Sequence, residues 1–214
     1  MNTHKIATDA YKYFSNLEGN QHIASEFALK SILDIISVHK PIRIVELCLG
    51  IGSIAYSVLK FATDAKQEII YFGTESNEFC LNVLPKHLKD YFSKVQIFNS
   101  LQDISITEKF DVVIIDGTDE NLVMVRNMSA KNGIIIIEGE RLPQLKSIRT
   151  IFPNSVYTKV ISNYRNPKYG PFSAQSFSSG IQLLFINPGW KQKLNFWKYK
   201  FRTALNYRLR ALSK

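Results

Sequence analysis

The chain has only two cysteines, Cys48 and Cys80. Two are too few for a disulfide framework, which points to a reducing compartment. Cysteine and histidine sets at metal-binding spacing are absent as well. The opening segment, MNTHKIATDAYKYF, lacks the apolar core of a secretory signal, and runs such as Ile134–Ile137 are far too short to span a bilayer. A cytoplasmic protein is the expectation. There is no internal repeat and no low-complexity linker. With 214 residues, 45% of them hydrophobic and 21% charged, the chain can bury the core of one globular domain.

Acid is missing from one stretch in particular. Between Asn187 and Lys214 there is no Asp or Glu, while Lys191, Lys193, Lys198, Lys200, Arg202, Arg208, Arg210 and Lys214 supply eight of the nine net positive charges. The body is therefore close to neutral. A basic body would suggest nucleic acid over the whole surface; a basic tail suggests a local contact. Trp190, Leu194, Trp197, Phe201, Leu205 and Leu212 recur there at helical spacing. Such a helix can dock on the domain, join two copies as a homodimer, or lie on the inner membrane surface as a peripheral contact. Nucleic acid ranks last among these partners.

The rest of the chain alternates. Helical spacing over Ile23–Val38 stops at Pro41, and Ile42–Leu47 reads as a strand. Ser53–Ala62, Asn77–Tyr91, Glu120–Ala130 and Leu142–Phe152 read as helices. Glu68–Gly73, Val95–Phe98, Phe110–Asp116, Gly133–Glu138, Val156–Ile161 and Ile181–Ile186 read as strands. Near-continuous apolar strands between helices indicate a mostly parallel sheet covered on both faces. Right-handed crossovers make it a doubly wound α/β fold. No helix separates the last two strands, which favours a terminal antiparallel hairpin. The expected division is a helical cap over 1–40, a Rossmann-like domain over 41–188, and a basic amphipathic helix over 189–214.

The stretch IRIVELCLGIGS, Ile42 to Ser53, is the most informative. An acid, Glu46, near the end of a buried strand is costly unless something polar needs it. Gly50 and Gly52 then turn the chain into a helix, where backbone can approach a ligand. Ligands in such sheets bind beyond the carboxyl ends of the strands. Those ends carry Glu46, Glu75, Asp116, and the pair Glu138 and Glu140. Glu75 follows Gly52 by 23 residues, a position suited to accepting hydrogen bonds from both hydroxyls of a ribose.

The segments VELCLGIGS, YFGTES, FDVVIIDG and NGIIIIEGE, in this order and spacing, resemble the class I S-adenosylmethionine-dependent methyltransferases, most of all their small O-methyltransferase-type branch. The resemblance spans roughly 23–188. It implies a seven-stranded sheet in the order 3-2-1-4-5-7-6 and S-adenosylmethionine as cofactor. It implies that Glu46, Gly50 and Gly52 contact the methionine moiety, with Cys48, Leu49 and Ser53 of the same turn also beside the cofactor. Glu75 would bind the ribose hydroxyls, with Ser76 beside it in the cofactor site, and residues near Ser100–Gln102, Leu101 among them, would lie by the adenine. The family pattern has glycine where this chain has Cys48, which reads as a small buried apolar residue rather than a reactive thiol. The dinucleotide pattern Gly50-x-Gly52-x-x-Ala55 keeps a nicotinamide enzyme open, but an acid four residues before that first glycine suits the methyltransferase better.

Methyl transfer from a sulfonium is an in-line displacement, so the protein positions the acceptor and removes its proton. Asp116 is the first candidate for base and a cofactor neighbour as well; Glu138 and Glu140 follow. The plain alternative for Asp116 is a cap on the next helix. In the metal-dependent branch these strand ends hold a divalent cation as Asp-Asp or Asp-Asn. This chain reads Glu138-Gly139-Glu140, and no metal is expected. His22 and Glu26, with the loop carrying Tyr164, Arg165, Tyr169, Phe172 and Phe177, are the expected lid over a small-molecule or glycan acceptor. A lone histidine such as His22 is more often a surface or capping residue than a base, and the loop reads equally well as a plain exposed connection. A methyltransferase-like binding module for RNA or protein is the alternative from outside enzymology.

Overall fold

A computed structural model describes residues 2–105 and 107–213. Lys214 of the basic tail lies outside the described residues. The chain opens with α1 (Thr3–Ser15) and α2 (Glu26–His39), each started by a side-chain cap. Asn2 accepts from the Lys5 N–H and Ser25 from the Ala28 N–H, satisfying donors that a helix start leaves free. Then come β1 (Arg43–Leu47), α3 (Ser53–Ala65), β2 (Ile70–Thr74), α4 (Glu78–Leu88), β3 (Val95–Phe98) and β4 (Phe110–Ile115). A four-residue helix α5 (Val125–Met128) leads into β5 (Ser129–Glu138), α6 (Leu142–Ile151), β6 (Val156–Val160), β7 (Ile181–Phe185) and α7 (Trp190–Leu212).

All seven strands form one sheet in the order β3-β2-β1-β4-β5-β7-β6, as expected. The first five are parallel, and β7 runs antiparallel to both β5 and β6. The side-chain period of two splits each strand between two cores. Ile44, Tyr71, Val112, Ile114 and Ile136 pack under α1, α2 and α3. Val45, Phe72, Val113, Ile115 and Ile137 pack on the opposite face with Met128 and Ile148. Residues of α1 and α2, such as Phe14 and Ile32, belong to the first core, so the N-terminal segment folds as part of the domain.

The helix expected over Glu120–Ala130 is a correction. The chain makes only a turn over Leu122–Met124 and the short α5. Ser129 pairs with Phe110 at the start of β4, so β5 is extended backwards to Ser129 and ends the helix early. Sheet pairing outweighs the local helical spacing.

Candidate active site

The turn after β1 is pinned to the end of β2. Three successive N–H groups donate across: Cys48 to Thr74 Oγ1 at 3.2 Å, Leu49 to the Thr74 carbonyl at 2.9 Å, and Gly50 to Glu75 Oε2 at 2.7 Å. Glu75 Oε1 accepts from the Ser76 and Asn77 N–H groups. The carboxylate is thus held rigidly at the carboxyl edge of the sheet. Cys48 takes φ +66°, where side chains cost of order 1–3 kcal/mol, which explains why glycine suits that position. Its thiol is pushed up to about 12 by burial first and by Glu75 next, so it stays protonated and unreactive.

The same edge opens into a cavity of about 720 Å³, within the range of small-molecule sites. Its floor holds Cys48, Gly50, Glu75, Asp116 and Glu138 from four strand ends. One wall comes from Gln21, His22, Ile23 and Ser25 before α2. The other is the loop between β6 and β7, through Asn166, Pro171, Phe172, Ser173, Ser176, Phe177 and Ser179. A smaller hollow of about 250 Å³ adjoins it, lined by Leu49, Ser53, Asn77 and Phe79 and sharing Gly50 and His22.

Asp116 and Glu138 meet in the floor. Arg141 Nη2 donates to Asp116 Oδ1 at 2.8 Å and stands 3.5 Å from Glu138 Oε2. Burial, and then Glu138, holds Asp116 well above the usual carboxylate range; burial also raises Glu138, and Arg141 opposes both shifts. The pair is therefore disposed to share a proton. Arg141 follows the strand-five acid by three residues in IIEGER, and sequence reasoning passed over it. Only the sign of its charge beside two buried acids could have drawn attention to it.

Several expected positions fall elsewhere. Glu140 points away, is 74% exposed at its side chain and pairs with Lys159, so it is no candidate base. Glu46 is fully buried and does not line the cavity; it accepts a hydrogen bond from the Tyr71 hydroxyl, and burial holds it well above the usual carboxylate range. Gly52 caps α3 against Leu84 and Leu88. Ser76, Ser100 and Leu101 line neither hollow. Ser100 caps a short turn with Asp103, and Leu101 is buried in the second core. Asp116 caps no helix, since its side chain is taken by Arg141. In the loop, Tyr164 packs on Phe27, and Tyr169 donates to Glu26, which also accepts from Thr8. Only Phe172 and Phe177 of its aromatics face the cavity. Among the described residues, no three His, Cys, Asp or Glu side chains are grouped as a metal site.

The strand order with an antiparallel β7 between β5 and β6 is the class I methyltransferase fold, and it departs from the dinucleotide order 3-2-1-4-5-6. No protein-family model matches the sequence, and no curated protein matches it either. Solved structures do match the fold. One is the O-methyltransferase TomG from Streptomyces achromogenes, involved in tomaymycin synthesis and crystallised with S-adenosylmethionine (TM-score 0.62, 11% identity, 86% of this chain and 90% of that one). Another is an O-methyltransferase from Bacillus cereus bound to S-adenosylhomocysteine (TM-score 0.60, 12% identity, 86% and 91%). A third is the tRNA (m1A58) methyltransferase TrmI from Aquifex aeolicus (TM-score 0.60, 16% identity, 82% and 74%). The fold is thus shared by O-methyltransferases and a tRNA methyltransferase.

Proposed function

We propose that this chain is an S-adenosylmethionine-dependent methyltransferase acting on an oxygen of a small molecule or glycan. The observation that carries the reading is the convergence of Glu75, Gly50 and the Asp116–Glu138–Arg141 cluster on one cavity at the carboxyl edge of a methyltransferase-type sheet. The floor suits the cofactor. Glu75 Oε2 holds one N–H donor and keeps acceptor capacity for a ribose hydroxyl. A Cβ built on Gly50 meets nothing within 4 Å, so the backbone there faces open space. When bound, the cofactor supplies an electrophilic methyl group on a sulfonium.

The chain's own residues handle the acceptor and its proton. A carboxyl pair raised by burial holds a proton more strongly than ordinary carboxylates do, as a general base for a hydroxyl requires. Asp116 takes the proton of the acceptor hydroxyl, and Glu138 shares the load. Arg141 stabilises the negative charge left on the pair and orients Asp116. It stands where the two acids converge, and its guanidinium supplies the local positive charge. Phe172, Phe177 and Pro171 offer apolar surface, and Ser173, Ser176 and Ser179 offer hydroxyls, which suits a ring-bearing acceptor with polar substituents.

Titration calorimetry with S-adenosylmethionine tests the reading. Binding by the native protein is expected, weakened about 10- to 100-fold in Glu75→Ala by loss of charged hydrogen bonds. Absence of heat with the native protein would leave a methyltransferase-like binding module instead. Undiminished affinity in Glu75→Ala would remove the ribose role alone.

A further inference from the structure

α7 docks by a mixed face: Phe196 and Tyr199 pack against the first core, while Gln192, Thr203, Asn206 and Arg210 make hydrogen bonds to the body. The residues it turns to the body include Gln192, Tyr199, Thr203, Asn206 and Arg210, spaced along one face of a helix of about 3.6 residues per turn. Thr203 Oγ1 donates to the Lys159 carbonyl at 2.6 Å and Asn206 Nδ2 to the Ile161 carbonyl at 2.7 Å, capping the exposed edge of β6. Arg210 donates to the Ser162 carbonyl and stacks on Phe177, so the helix is fixed at its far end as well. The opposite face carries Trp190, Leu194, Trp197, Phe201, Leu205 and Leu212, with one exposed cation, Arg208, among them near the C-terminal end; Phe201 is 75% and Leu212 84% exposed. A helix that shows its apolar side to water needs something to cover it.

Charge decides what. At the same helical pitch Lys191, Lys198 and Arg202 border the stripe on one side, and Lys193 and Lys200 on the other. All five are exposed, and no acid stands on the helix. Two copies placed stripe to stripe would bring like-charged borders together. RNA would use the aromatic rings but not the leucines among them. An anionic bilayer fits both features: apolar side chains enter at the headgroup level while the flanking cations reach lipid phosphates. No helix among the described residues is long and apolar enough to cross a membrane, so the contact is with the surface. We propose that α7 is a fixed interfacial helix that seats this protein on an anionic membrane surface through the Trp190–Leu212 stripe.

Both tryptophans of the chain, Trp190 and Trp197, lie on that stripe, so their fluorescence reports on it alone. The full chain is mixed with phosphatidylcholine vesicles, with or without phosphatidylglycerol, and sedimented. Co-sedimentation and a blue-shifted emission are expected only with the anionic vesicles. Lys198→Glu/Lys200→Glu should lower partitioning by about tenfold or more, and Leu194→Ser/Phe201→Ser likewise by loss of apolar burial. These side chains are exposed, and an unchanged thermal melt confirms intact folding in each variant. Three outcomes overturn the proposal: unshifted emission with no sedimentation, binding to single-stranded RNA without binding to vesicles, or a dimer by light scattering that shields the tryptophans and ignores lipid.

Discussion

The side chain of Cys48 fills the space over the backbone of Gly117: a Cβ built on Gly117 would lie 2.5 Å from both Cβ and Sγ of Cys48. The thiol also approaches the Thr118 carbonyl at 3.4 Å. The residue that interrupts the glycine pattern after β1 is therefore matched by a glycine after β4.

The match gives a coupling that can be measured. Gly117→Ala is expected to cost about 1–3 kcal/mol through overpacking. Cys48→Gly is expected to change stability by no more than about 1 kcal/mol, since relief of the positive φ opposes the extra freedom of the unfolded chain. In the Cys48→Gly background the Gly117→Ala penalty should fall by at least half. Urea unfolding of the four proteins reads the coupling, and strict additivity would rule it out.

Glu46 makes a prediction about pH with an unusual sign for an acid. Its folded carboxyl is raised above the unfolded value of about 4.3. The native state therefore holds a proton that the unfolded chain has released. Stability from this group is full below about pH 4.3 and is lost as pH rises toward the folded value. Glu46→Gln stays neutral and can still accept from Tyr71. Its stability should fall less with rising pH than that of the native protein. Asp116 and Glu138 carry the same sign but are common to both proteins, so parallel pH–stability curves would contradict the assignment to Glu46.

Arg141 should shape the pH–rate profile. It lowers the proton affinity of both Asp116 and Glu138 against the effect of burial. In Arg141→Met both acids rise further, so the acidic limb of kcat/KM moves to higher pH. The rate at neutral pH should drop by about tenfold to a hundredfold, in the range of acid–base contributions. Arg141→Lys should restore part of the shift. A reduced rate with an unmoved limb would assign Arg141 to substrate binding alone.

Besides the packing of Phe196 and Tyr199 on the first core, α7 is docked by side-chain bonds to β6 and the residues just after it. Asn206→Leu leaves the Ile161 carbonyl unpaired at a buried contact, at a cost of about 1–3 kcal/mol. Limited proteolysis should then release the tail sooner than in the native protein, with the body intact. Equal cleavage rates would mean that the bond contributes nothing.

The alternation of apolar strands and helices was legible because buried parallel strands carry their own signature, as in FDVVII and GIIII. The strand ends bearing Glu75, Asp116 and Glu138 were legible for a related reason: an acid closing an apolar run marks the rim of a sheet. Glu46 shows where that reasoning stops. It lies within β1, one position before its end at Leu47, and the pleat turns it into the first core with Tyr71 instead of into the cavity. Glu140 lies two residues past the end of β5, where the chain has already left the rim.

The amino-acid sequence alone determined the class of fold, the order of its elements, the rim on which a ligand would bind, and the presence of a basic amphipathic tail, because each is written in local periodicity and charge. Only the tertiary structure decided which acids share the cavity, that Arg141 stands between two of them, and that α7 docks by the face opposite its exposed tryptophans and leucines. Those relations join residues distant in the chain, or depend on which side of a strand or helix meets a neighbour, and local spacing carries no record of either.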